Sequence, residues 1–202
     1  MNLKVKEIFY SLQGEGGRQG VASIFIRLSG CNLKCDFCDT DFSGGEVMTF
    51  EQILLQIRQY PCQWIVWTGG EPTLQLKDDC LLFFKQLGYR QAIESNGHNP
   101  LSALLDYTVV SPKGGGKPRP YKNPRPYNKI NPKVDEIRLP VSENDTIPSI
   151  ESLPEAKHYF LSPIFTKNQT ETKANIDYCV NQIKLNTGWR LSLQMHKLID
   201  IE

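Results

Sequence analysis

Apolar and polar positions alternate with a period of two at residues 5–11 and again at 21–28, and both runs predict strands. The second run is rich in β-branched and aromatic side chains. Between them, Leu12-Gln-Gly-Glu-Gly-Gly17 carries the glycines of a tight turn or of a close backbone approach to a ligand. Thr49-Phe-Glu-Gln52 has the form of a capping box and predicts a helix to about residue 60, with Ile53, Leu54 and Ile57 inward and Pro61 past its end. Residues 63–68 are a short apolar run, a buried strand leading into Gly69-Gly-Glu-Pro72. A helix is predicted over 74–87, with Leu81, Leu82, Phe84 and Leu87 as its apolar side and Gly88 as its C′ residue. Residues 90–95 read as a strand, 99–105 as a short helix opened by Asn99-Pro100, and 107–111 as another strand.

At residue 113 the rhythm breaks. Residues 113–133 hold seven basic residues, five prolines, three consecutive glycines and no acid, and predict an irregular basic insertion. Strands resume at 134–141 and 158–161. A long helix over 168–187 turns Ala174, Cys179, Val180 and Ile183 inward, and 190–194 forms the last strand. Strands alternating with helices imply a parallel sheet of βα units in a single domain over residues 1–202. A closed eight-fold barrel takes about 250 residues. A chain of 202 residues with few helices therefore predicts an α/β fold with a partial, incomplete TIM-like barrel. In such folds chemistry collects where strands end. Cys31, Gly69-Gly-Glu-Pro72, Ser95-Asn-Gly97, Ser111-Pro-Lys113 and Gln194-Met-His196 all follow predicted strands, so one mouth should gather them.

The formal net charge of +1 argues against bulk attraction to nucleic acid or membranes. No apolar run approaches the roughly 20 residues that span a bilayer, and the N-terminal residues lack the apolar segment of a signal peptide. Of six cysteines, Cys62, Cys80 and Cys179 are scattered through apolar surroundings, as small core residues would be. That usage suits a reducing cytoplasm better than a disulfide framework.

The other three cysteines carry the chemistry. Cys31, Cys35 and Cys38 are spaced C-x3-C-x2-C in one short loop. A disulfide cannot use three sulfurs, and a closed zinc site takes four ligands. Cuboidal iron–sulfur clusters normally take one thiolate per iron, so three leave one iron open. A structural zinc loop that borrows a distant histidine remains the alternative.

With that loop after one strand and Gly69-Gly-Glu-Pro72 after the next, the chain resembles the radical S-adenosylmethionine (SAM) superfamily. Ser11-Leu-Gln-Gly-Glu-Gly16, Arg27, Cys38-Asp-Thr40, Ser95-Asn-Gly97, Ser111-Pro-Lys113 and Leu193-Gln-Met-His196 together resemble its 7-carboxy-7-deazaguanine synthase family, of 7-deazapurine (queuosine) biosynthesis. The resemblance runs from about residue 8 to the C-terminus. It implies a [4Fe–4S] cluster on Cys31, Cys35 and Cys38, within a cluster loop of residues 30–44. It implies SAM at Phe37, Cys38, Asp39, Gly70, Glu71, Ser95, Ser111, Pro112 and Lys113. Carbonyls and the Glu71 carboxylate suit the methionyl ammonium, and the Ser111 hydroxyl and Lys113 ammonium suit the carboxylate. Thr40 is implied as a Mg²⁺ ligand, acceptable for an ion that takes few protein oxygens and keeps water.

The implied substrate is 6-carboxy-5,6,7,8-tetrahydropterin, met by Leu12, Gln13, Gly14, Glu15, Arg27, Thr68, His196 and Glu202. Arg27 offers a planar fork for its carboxylate. The implied reaction is that of a carbon–nitrogen lyase: radical ring contraction to 7-carboxy-7-deazaguanine with loss of ammonia. The resemblance also implies a homodimer. The basic insertion is read as a loop near anionic ligands or as a dock for a flavodoxin-type electron donor, rather than as a nucleic-acid surface. Two other functions share part of the pattern: a radical SAM activase that forms a glycyl radical on a partner protein, and a non-catalytic iron–sulfur or zinc protein. Residues 13–16, Arg27 and His196 speak instead for a small tailored pocket.

Overall fold

The computed structural model describes residues 2–113, 130–131 and 133–202. Most of the expected basic insertion at 113–133, with Lys117, Arg119, Tyr121, Lys122, Arg125 and Tyr127, lies outside the described residues. Nine strands make one sheet in the order β3-β1-β2-β4-β5-β6-β7-β8-β9. They are β1 (Asn2–Leu12), β2 (Ala22–Leu28), β3 (Glu46–Thr49), β4 (Trp64–Gly69), β5 (Arg90–Ser95), β6 (Tyr107–Val110), β7 (Lys133–Val141), β8 (Glu155–Pro163) and β9 (Arg190–Leu191). The β1–β2 and β1–β3 pairs are antiparallel and every later pair is parallel. Among the described residues no pairing joins β9 to β3, so the sheet is an open, partial barrel.

Two helices cover one side of the first half: α1 (Phe50–Ile57) and α2 (Asp78–Gln86). The capping box at Thr49 and Gln52 is formed, and Ile53 and Ile57 are fully buried. Burying each such side chain contributes about 1.5–3 kcal/mol. They pack with Ile24, Ile26 and Leu28 of β2 and Ile65 and Trp67 of β4. A second core joins Ile137 and Leu139 of β7 and Leu161 of β8 to α3 (Gln169–Leu185), which Asn168 caps through two backbone amides. The last turn is α4 (Met195–Leu198). Among the described residues no helix is long and apolar enough to cross a membrane.

Some sequence expectations shift. The helix expected over 74–87 divides into a 3-10 turn at Pro72–Leu74 and α2, whose buried face is Cys80, Leu81 and Phe84. Leu82 and Leu87 point outward, 43% and 50% exposed. No helix forms over 99–105; the Asn131 side chain bonds Leu101 N, Gly97 O and Asn99 O, and of these Asn99 O is the carbonyl that a helix would have used. In α3 the buried positions are Asn175 and Cys179, with Ala174, Val180 and Ile183 half-buried. The last strand is two residues long, and the edge strand β3 had no clear apolar period to announce it.

Candidate active site

The two-residue period of the strands sorts their side chains onto two faces. Ile24, Ile26, Ile65, Trp67 and Ile93 meet the helices, and the intervening positions face the inside of the curved sheet. Arg27 of β2, Thr68 of β4, Glu94 of β5 and Arg138 of β7 are such positions, and all line one cavity of about 490 Å³. Parallel pairing of Arg27 with Thr68 sets the first two side by side.

The mouth is built by loops that interlock. Gly69, at φ +115°, and Gly70 press against the end of β2: a Cβ on Gly69 would lie 2.2 Å from Leu28 O, and one on Gly70 1.9 Å from Gly30 O. Glu71 N donates to Gly30 O at 2.9 Å and Gly70 N to Leu28 O at 3.0 Å. The glycines thus serve a backbone-to-backbone approach that seats the cysteine loop. The register shift between Val5 and Glu7 frees Lys6 from the ladder, and its Nζ bonds Asp41 at 2.7 Å and Ser43 O at 2.9 Å. On the far wall Lys197 of α4 pairs with Asp39, so the cysteine loop is tied at both sides.

Cys31, Cys35 and Cys38 are in no disulfide and line the cavity, Cys38 being exposed. Among the described residues no three His, Cys, Asp or Glu side chains are placed to hold a single metal ion. A cuboidal cluster asks for something else, one thiolate on each of three irons, and the donor set here is all-thiolate on one loop facing a cavity. The residues present fit that group.

Every other expected site residue lines the same cavity except two. Pro112 lies outside the lining, with Ser111 and Lys113 on either side of it within. Glu71, expected at a ligand ammonium, is completely buried. Its Oε1 accepts from Thr73 N, Thr73 Oγ1 and Ser95 Oγ at 3.1, 2.6 and 2.9 Å, and its Oε2 from Asn96 N at 2.7 Å. The carboxylate is spent on fastening β4 to β5. Arg27 lines the cavity while its Nε pairs with Glu7 at 2.6 Å, so it has both a structural partner and a face toward ligand. Burial lowers the His196 pKa, which favours its neutral form. Gly14 lies against that ring, where a Cβ would come within 2.1 Å of Nδ1. Glu202 lines the cavity, and its main-chain oxygen accepts from Ser11 Oγ at 2.7 Å.

Sequence reasoning missed Glu94 and Arg138. The signal was present: each is a charged residue in the strand parity that faces away from the helices. Lys113 donates to Ser111 Oγ at 2.8 Å, and burial pulls its pKa down.

An open parallel barrel with a three-thiolate loop at its mouth defines a radical SAM protein, and the sequence profile of the Radical SAM superfamily matches residues 25–115. The fold is also that of QueE from Escherichia coli, with a TM-score of 0.70 over 97% of this chain and 95% of that one, at 23% identity. The chain is 41% identical to the 7-carboxy-7-deazaguanine synthase of Bacteroides thetaiotaomicron, covering 100% of both chains. It is 38% identical to that of Haemophilus influenzae, over 100% of this chain and 95% of the relative. The chain belongs to the 7-carboxy-7-deazaguanine synthase family.

Proposed function

We propose that this chain is a 7-carboxy-7-deazaguanine synthase, a carbon–nitrogen lyase that contracts the ring of 6-carboxy-5,6,7,8-tetrahydropterin with loss of ammonia. The observation that carries the reading is one cavity lined by the three-cysteine loop and by Gln13, Arg27, Glu94 and His196 together. A [4Fe–4S] cluster on Cys31, Cys35 and Cys38, with SAM on its open iron, supplies the radical chemistry when bound. The chain's own part is placement and exclusion of water. Phe37, Asp39, Gly70, Ser95, Ser111 and Lys113 line the SAM side, and Lys113 is the cation suited to the SAM carboxylate. Arg27 receives the substrate carboxylate with its fork. Glu15 and Glu94, at the opposite charge, receive N–H donors of the pterin. Thr40, on the cysteine loop, would hold Mg²⁺ through its hydroxyl, a hard oxygen donor suited to that ion.

Sheet edges that have no partner among the described residues, at β3 and β9, support a homodimer, and six cysteines in no disulfide suit a reducing cytoplasm. Electrons come from a flavodoxin-type donor in this reading. The test is anaerobic reconstitution with iron and sulfide, then SAM, reductant and the carboxypterin, with and without Mg²⁺. Formation of the deazaguanine is expected. Deoxyadenosine without it would keep the superfamily and reject the substrate; bound zinc with no iron–sulfur chromophore would reject the enzyme.

A further inference from the structure

Under the cavity three carboxylates from three chain segments converge on one arginine. We propose that Arg138 is a positioning residue that sets which ligand the cavity accepts, by holding Glu15 and Glu94 as a fixed floor of acceptors. The proposal rests on the pterin-type substrate read above.

All three guanidinium nitrogens are engaged. Nε donates to Glu136 at 2.7 Å, NH1 reaches Glu15 at 3.3 Å and Glu94 at 3.1 Å, and NH2 reaches the other Glu94 oxygen at 3.3 Å. Arg138 therefore has no nitrogen free of partners to offer a ligand carboxylate, and that task falls to Arg27 and Lys113. Glu136 is the anchor: it is off the cavity lining, and its second oxygen accepts from Gly17 N at 2.9 Å and Tyr107 OH at 3.0 Å. Glu15 and Glu94 are on the lining. Gln13 Nε2 takes one site on Glu94 at 3.0 Å and Ser162 Oγ one on Glu15 at 2.7 Å. With about four acceptor sites per carboxylate, about three remain for a ligand.

The chemistry that fits is a flat ring edge with adjacent N–H donors, as in a 2-amino-pyrimidin-4-one, whose ring N–H and amino group match a carboxylate. Without a guanidinium between them, two carboxylates this close would repel and one would take up a proton. A protonated carboxyl offers a donor where the ligand also offers one. Burial already raises the Glu94 pKa, with Arg138 opposing it and Glu15 and Glu136 reinforcing it.

The test uses the reconstituted enzyme and its Arg138→Gln and Arg138→Lys variants, each checked for iron content and thermal unfolding. Fluorescence titration with 6-carboxypterin is compared with 6-carboxylumazine, which carries an oxo group in place of the 2-amino group. The wild type should prefer the pterin by roughly 10–100-fold, the worth of hydrogen bonds to a charged group. R138Q should reduce that preference to a few-fold, and R138K, with charge but no fork, should fall between. In R138Q, Glu94 faces Glu15 and Glu136, with Arg18 and Lys113 the cations still acting on it. Its carboxyl then titrates at higher pH, and pterin binding should recover as pH is raised. An unchanged preference and an unmoved pH profile in R138K, or in a folded R138Q, would overturn the proposal. A wild type that neither binds the pterin nor turns it over would instead overturn the substrate reading.

Discussion

Glu71 offers the sharpest separation between a ligand contact and a structural tie. In Glu71→Ala the backbone amides of Thr73 and Asn96 lose their acceptor, as do the hydroxyls of Thr73 and Ser95. The Thr73 hydroxyl still accepts from Asn99 Nδ2 at 3.0 Å, while its own O–H loses its acceptor. Orphaning a buried donor costs about 1–3 kcal/mol, so the two amides alone amount to roughly 2–6 kcal/mol. That is a large part of the total stability of a domain, about 5–15 kcal/mol. At about 2–4 °C per kcal/mol for this chain length, unfolding should come roughly 4–24 °C earlier. Circular dichroism melts of the metal-free chain and of the reconstituted enzyme measure it. Glu71→Gln, which keeps one acceptor oxygen, should lose less. A melt within about 2 °C of wild type, with the defect confined to SAM affinity, would refute the reasoning and return Glu71 to the ligand.

Three further outcomes are expected. Thr40→Ala should abolish the stimulation of turnover by Mg²⁺ while iron content and deoxyadenosine formation persist, since the residue holds no cluster iron. Thr49→Ala removes the acceptor of Gln52 N, at 3.2 Å, and should cost about 1 kcal/mol, a fall of about 2–4 °C in Tm with activity unchanged. Burial pushes the thiols of Cys80 and Cys179 up to about 12. Iodoacetamide near pH 8, read by mass spectrometry on the metal-free chain, should therefore label Cys31, Cys35 and Cys38 and spare those two.

The sequence by itself determined the strands with a clean two-residue period, the cap at Thr49, and the open βα sheet, because these are local or nearly local effects. It determined the cluster loop too, since thiolate spacing along a chain is set by the chain. It placed most lining residues at the mouth through one rule, that strand ends share an edge. What it could not determine was how a side chain is spent. Glu71 looked free for a cation in a Gly-Gly-Glu-Pro turn, and only the approach of β4 to β5 gave its four acceptances to Thr73, Ser95 and Asn96. The glycines before it looked like room for ligand, and the tertiary structure used them for the backbone of Leu28 and Gly30. Leu82 and Leu87 were apolar at helical spacing, yet α2 buries Cys80, Leu81 and Phe84 and ends at Gln86, which leaves Leu82 on its outer side and Leu87 at its C-cap. Arg138 and its carboxylates are 123 and 44 residues apart for Glu15 and Glu94. Charges that distant in sequence become one site only when sheet curvature brings their strands around a common floor.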